Sequence, residues 1–225
     1  MKPGTYGEIM ERICESKSAE LKNAARFSFS KKLAAMGRAC RFVNPMLSDG
    51  LPETVLKVLR LFNEAVAKRL FAKYAIIGGF AVEYYGAPIN TMDVDFLGVF
   101  PETPGGLLDP SVFFDFFKAN GAEVSGEYLV MNGLKFQMIP ANSGLDAEAL
   151  EAATAVSEAG VGFFVVTLEH LIALKLKAWR YKDRLHINHL LDCGVNPNQA
   201  ELSAILERHG LQNRWAQLLS ERARS

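Results

Sequence analysis

The chain has 225 residues, of which 49% are hydrophobic and 22% charged, and its 25 basic and 25 acidic side chains leave no formal net charge. That length provides one or two compact domains with a sizeable core, in a composition typical of globular protein. Zero net charge excludes an overall basic signal for nucleic acid and leaves only local patches to consider. The polar, mixed start lacks the apolar segment of a secretory signal, so none is expected, and no uncharged stretch comes near the length of a membrane span. Cys14, Cys40 and Cys193 share no C-x-x-C spacing and make an odd count, which predicts reduced thiols in a cytoplasmic protein.

Residues 1–50 have partial helical spacing through Ile9, Ile13, Leu21, Phe27, Leu33 and Met36. Arg26, Lys31, Lys32, Arg38 and Arg41 interleave there with Phe27, Phe29 and Phe42. This reads as a solvated helix face with its rings turned inward, ahead of an arm that contacts nucleic acid. Turn residues at Asn44-Pro45 and from Ser48 to Pro52 mark a boundary. We therefore divide the chain into an N-terminal helical segment (1–50), a core (51–167) and a C-terminal helical region (168–225). Val55, Leu56, Leu59, Phe62, Val66 and Leu70 form one apolar stripe that predicts a helix from Pro52 to Lys73.

The stretch from Tyr74 to Gly98 follows, with an apolar run ending in Gly78-Gly79, a short amphipathic segment to Gly86, and Asp93-Val94-Asp95 opening a second apolar run. Strand, glycine turn, helix and acidic strand is the expected plan. Side chains two apart on a strand share a face, so Asp93 and Asp95 should project together while Val94 turns into the core. Two carboxylates so placed suit Mg²⁺, a hard cation that takes oxygen ligands and holds phosphates. Backbone N–H groups at a helix start attract phosphate as well, which makes Gly78 and Gly79 candidates for nucleotide contact.

Pro101 to Pro110 must be a loop, and residues 111–120 a short helix whose phenylalanines belong to the core rather than to a base-stacking platform. Glu127 to Pro140 is the clearest hairpin, turning at Asn132-Gly133. Asp146 to Ser157 is alanine-rich and predicts a helix, Val161 to Val166 a short buried strand. From Leu168 the pattern is helical, with breaks at 194–198 and near Gly210. His170, His186, His189 and His209 have no zinc-site spacing. The sum is an α+β fold: a small mixed sheet from strands near 74–78, 93–99, 127–131, 134–139 and 161–166, backed by helices. The mostly helical C-terminal region would form the other wall of a cleft.

The Gly-Gly turn, short helix and Asp-x-Asp, together with the later block from Leu168 to Leu191, resemble the nucleotidyltransferase superfamily with the DNA polymerase β-like fold. Within it the chain is most similar to the small bacterial branch that contains the abortive-infection-type toxins. The resemblance covers roughly Tyr74 to Leu191 and makes 51–167 a nucleotidyltransferase-like core. It implies an NTP substrate, Mg²⁺ on Asp93 and Asp95, and a hydroxyl acceptor on RNA, protein or a small molecule. It also implies that Lys175 points toward the nucleotide phosphates and that Thr91 and Asp183 belong to the nucleotide site. A homodimer or a partner protein, as in toxin–antitoxin pairs, would fit the same branch.

Three positions depart from the family. Its third carboxylate, on the second hairpin strand, is matched here by Gln137, an amide that is a weak metal ligand and no base. No Asp or Glu occurs between Glu127 and Asp146 to replace it. Ile89 stands where relatives have an arginine, and His186 where they have a further acid. Two readings therefore stay open: a metal-dependent nucleotidyltransferase with Asp93, Asp95 and Lys175 as its catalytic groups, or a catalytically degenerate protein of the same fold that acts by binding.

Overall fold

The computed structural model describes residues 51–89, 91, 93–100 and 110–224. The N-terminal helical segment with its basic–aromatic cluster, Cys14, Cys40 and most of the 101–110 loop lie outside them. The chain divides into two compact units, one of residues 51–81 and 91–167, the other with its described residues within 82–90 and 168–225. Among the described residues the first unit carries β1 (Tyr74–Ile77), β2 (Asp93–Gly98), β3 (Glu123–Ser125), β4 (Tyr128–Met131), β5 (Leu134–Pro140), β6 (Thr154–Glu158) and β7 (Val161–Val165). Helices α1 (Glu53–Ala67), α3 (Ser111–Ala119) and α4 (Gly144–Glu151) belong to it. Helix α2 (Gly78–Tyr84) leaves this unit partway along its length. The second unit contains α5 (Leu168–Ala178), α6 (Tyr181–Asp192), α7 (Gln199–Arg208) and α8 (Gln212–Arg222).

The seven strands form one mixed sheet in the order β3-β4-β5-β2-β1-β7-β6. The fold class is α+β, as the sequence predicts. Strands β1 and β2 run antiparallel, while β2 pairs with β5 and β1 with β7 in parallel. The acidic strand β2 therefore sits inside the sheet, hydrogen-bonded on both edges.

The core of this unit centres on Phe62 of α1, which is fully buried. Its ring stacks on Phe96 of β2 at 3.8 Å between centroids, and meets Tyr74, Phe117, Phe71, Phe113 and Phe136 between 5.0 and 6.1 Å. Phe113 and Phe117, one helical turn apart on α3, are the rings of that helix that go inward. Offset and edge contacts of this kind add to the area term of burial.

Helix α1 stops at Ala67, short of the expected Lys73. Arg69 takes φ 57°, and the Leu70 N–H reaches back to the Ala65 carbonyl. That left-handed cap turns the chain so that Phe71 packs on Phe62 instead of continuing the stripe. Asn132 and Gly133 have φ 48° and 81°, the paired positive values that a type I′ hairpin turn requires. Two strands went unseen in the sequence. Strand β3 is three residues with every side chain exposed, too short to show alternation. The alanine-rich pattern predicts a helix through Ser157, but α4 ends at Glu151 and Thr154–Glu158 pairs with β7. Ala159 and Gly160 between them have φ 47° and 77°, and that pair was the turn signal. Strand β7 alternates buried and exposed, so it is half-buried rather than wholly inside.

In the second unit the helical run breaks where no glycine or proline warns of it, at Trp179 with φ 55°. The Arg214 guanidinium donates to the Leu176 and Lys177 carbonyls at 2.8 and 2.7 Å, satisfying the open end of α5. Arg184 and Arg214 lie over the Trp179 ring at 5.3 and 5.7 Å. Cys193 is buried and forms no disulfide among the described residues.

Because one ring joins α1, α3, β2 and β5, truncating it removes contacts from several elements at once. Phe62→Ala should cost about 3–5 kcal/mol in denaturant unfolding. A loss below about 1 kcal/mol would show that the core is organised around some other residue.

Candidate functional site

The pleat of β2 decides where the acids go. Val94 and Phe96 are buried against the core, so Asp93 and Asp95 emerge on the opposite face, both partly exposed. The Thr91 hydroxyl donates to Asp93 Oδ1 at 2.6 Å. Gly78 begins α2 with φ 69°, and Asp95 Oδ2 lies directly over its Cα, in space that a Cβ would need. Glycine is therefore required twice at this position, for the backbone angle and for the close approach of the carboxylate. Gly79 follows within the same short helix. The structure thus brings Gly78, Thr91, Asp93 and Asp95 together within the first unit.

Gln137 joins them. In the parallel ladder Asp95 is the register partner of Gln137, and the Gln137 side-chain amide donates to Asp95 Oδ1 at 2.7 Å. One pleat away Asp93 faces Lys135, which is exposed. The β4–β5 hairpin continues the row: Leu129 pairs with Phe136, so Tyr128 stands beside Gln137 on the acid face. The Tyr128 phenol is raised above its ordinary pKa by loss of solvent, then by the charges of Asp93, Glu127 and Asp95. Tyr128 and Lys135 were not singled out in the sequence. The hairpin register needed for Tyr128 was legible from Asn132-Gly133, but the parallel register that sets Lys135 beside Asp93 was not.

The donor set offers a hard cation two carboxylates on one face, with one oxygen of each already accepting a hydrogen bond. It fits a single Mg²⁺ held by Asp93 and Asp95. A site with three acids is not formed, and among the described residues no group of three His, Cys, Asp or Glu side chains is arranged to hold a metal.

Lys175 and Asp183 come together in the second unit. Lys175 on α5 is only 5% exposed, and Asp183 on α6 is 2% exposed. Their charged atoms are 3.6 Å apart. Arg180 closes over Asp183, its Nε donating to Oδ2 at 2.7 Å. Burial alone would raise the Asp183 carboxyl, but the Arg180 hydrogen bond and the charges of Lys175 and Arg180 outweigh it and hold the group below its ordinary value. His186 Nδ1 lies 3.0 Å from Lys175 Nζ. Loss of solvent and the Lys175 charge push His186 down to about 4, so at neutral pH its ring nitrogen accepts from the ammonium. Lys177 is exposed, on another side of α5.

The signs of these shifts set a pH dependence. His186 folds with a pKa below its unfolded value of 6.5, so below pH 6.5 the unfolded chain takes up a proton that the folded chain refuses until about pH 4. Stability should fall across that window. His189, also lowered by burial, acts in the same direction. The Asp183 contribution is lost only lower still, below its ordinary 3.8. In unfolding measurements between pH 7 and pH 4, His186→Asn should flatten the fall, because it keeps an acceptor for Lys175 but gains no proton. An unchanged slope would remove this pair as its source.

No family model matches the chain, and no curated protein does. An antigenic nucleotidyltransferase-like protein from Paracoccidioides brasiliensis is similar in structure, with a TM-score of 0.50 and 16% identity over 76% of this chain and 89% of that one. The antibiotic-resistance factor ANT(2'')-Ia scores 0.46 in solution, at 14% identity over 77% of this chain and 99% of its own. Its crystal structure with adenylyl-2"-tobramycin also scores 0.46, at 16% identity over 72% and 99%. The first of these likenesses speaks for the fold alone: this chain has the α+β fold of that antigenic nucleotidyltransferase-like protein.

Proposed function

We propose that this chain binds a nucleoside triphosphate at the acid face of β2 and transfers its nucleoside monophosphate to a hydroxyl acceptor on RNA, protein or a small molecule. The observation that carries the reading is Asp93 and Asp95 projecting together beside Gly78, with Asp95 lying over the glycine Cα. Asp93 and Asp95 would hold Mg²⁺, which when bound supplies charge neutralisation along the triphosphate. Thr91 fixes the rotamer of Asp93, and Gln137 that of Asp95, so neither carboxylate has to be ordered when the nucleotide arrives. In the transfer the acceptor oxygen bonds to the α-phosphorus, the bond from that phosphorus to its bridging oxygen breaks, and pyrophosphate leaves. Gln137 cannot take the acceptor proton, so either a group outside that position serves as the base or the proton passes to solvent and turnover is slow.

Two observations favour a second reading, in which the chain binds a nucleotide or a partner protein without transfer. The Gln137 amide occupies Asp95 at the position where relatives carry a third acid, and Lys175 has acceptors of its own in Asp183 and His186.

Thermal unfolding with ATP, CTP, GTP or UTP plus Mg²⁺ tests the shared part of both readings. A nucleotide at one hundred times its Kd should add about 2.7 kcal/mol, and Asp93→Ala should remove the gain. The absence of any shift would end the transfer reading and leave, of the second, only binding to a partner protein. Release of pyrophosphate from the stabilising nucleotide then separates transfer from binding.

A further inference from the structure

We propose that Gln137 sets the cation affinity of the acid face, donating a hydrogen bond to Asp95 where a third carboxylate would add charge. The inference rests on the reading above, that Asp93 and Asp95 take a divalent cation.

Parallel register fixes Gln137 beside Asp95 and Lys135 beside Asp93, so β5 sets an amide donor and a cation against the two acids of β2. A hydrogen bond at 2.7 Å to Asp95 Oδ1 uses an oxygen that a metal would otherwise take. Gln137 is partly buried and Asp95 is held on its other side over Gly78, so neither side chain relaxes away without cost. A cation can be admitted if the Gln137 amide turns to present Oε1, which ligates without charge. Breaking the charge-assisted bond and gaining only a neutral ligand makes the site weak. An acid at the same position would reverse both effects, removing the competing donor and adding a charged ligand.

The probe is Mn²⁺ alone, followed by calorimetry and by its electron paramagnetic resonance signal, so that no turnover is needed. Gln137→Glu should tighten Mn²⁺ at least tenfold relative to the wild type. Gln137→Met, which removes the donor and keeps the bulk, should tighten it severalfold and serves if the glutamate variant does not fold. Asp93→Ala in the Gln137→Glu background should abolish the gain. Equal affinities in wild type, Gln137→Glu and Gln137→Met would overturn the inference while leaving the cation reading intact. Binding by Gln137→Glu and not by wild type supports the inference and removes Mg²⁺ from the proposed function. No binding by any of them overturns both.

Discussion

Burial of Phe96 under Phe62 is the constraint on which the site depends. The two rings stack at 3.8 Å in the middle of the first unit, and a strand cannot bury residue 96 without turning its neighbours at 95 and 97 the other way. Val94 goes inward with Phe96 for the same reason. Asp93 and Asp95 are thus aimed by apolar packing on the far side of their own strand. A register slip of one residue would bury both charges, at a cost far above any gain from repacking. The acid pair is held in place as firmly as the core itself.

The neighbouring strand gives those acids their character. Strand β5 meets β2 in parallel and presents Lys135 and Gln137 on the same face. Two adjacent carboxylates would repel one another in an empty site. The Thr91 hydroxyl and the Gln137 amide each hold one of them through a hydrogen bond, so the pair stays ordered without a cation. On the proposed reading, an acid pair already satisfied by two hydrogen bonds would bind a cation less tightly than a site built of three acids.

The second unit solves a different electrostatic problem. A lysine that is almost wholly buried cannot stay charged without acceptors. Asp183 and His186 on α6 provide them, and Arg180 at the start of that helix holds Asp183 in turn. The break at Trp179, closed by Arg214, is what allows α6 to fold back so that residues 183 and 186 meet residue 175. A continuous helix would have carried them more than a turn away.

The sequence by itself determined the elements whose patterns are local. The stripe of α1, the strand–glycine–helix–strand plan from residue 74 to residue 98, and the Asn132-Gly133 hairpin are all written in short-range periodicity and turn chemistry. So is the shared face of Asp93 and Asp95, because the pleat has period two. Only the tertiary structure decided what those residues meet. The Asp95–Gln137 bond spans forty-two positions and depends on parallel pairing, which no turn residue encodes. The break at Trp179 escaped for a related reason: an aromatic in left-handed conformation there is supported by Arg214, thirty-five positions away, and not by its own propensity. The strand at Thr154–Glu158 has its partner close by in β7, and its alanine-rich surroundings hid the Ala159-Gly160 turn between them.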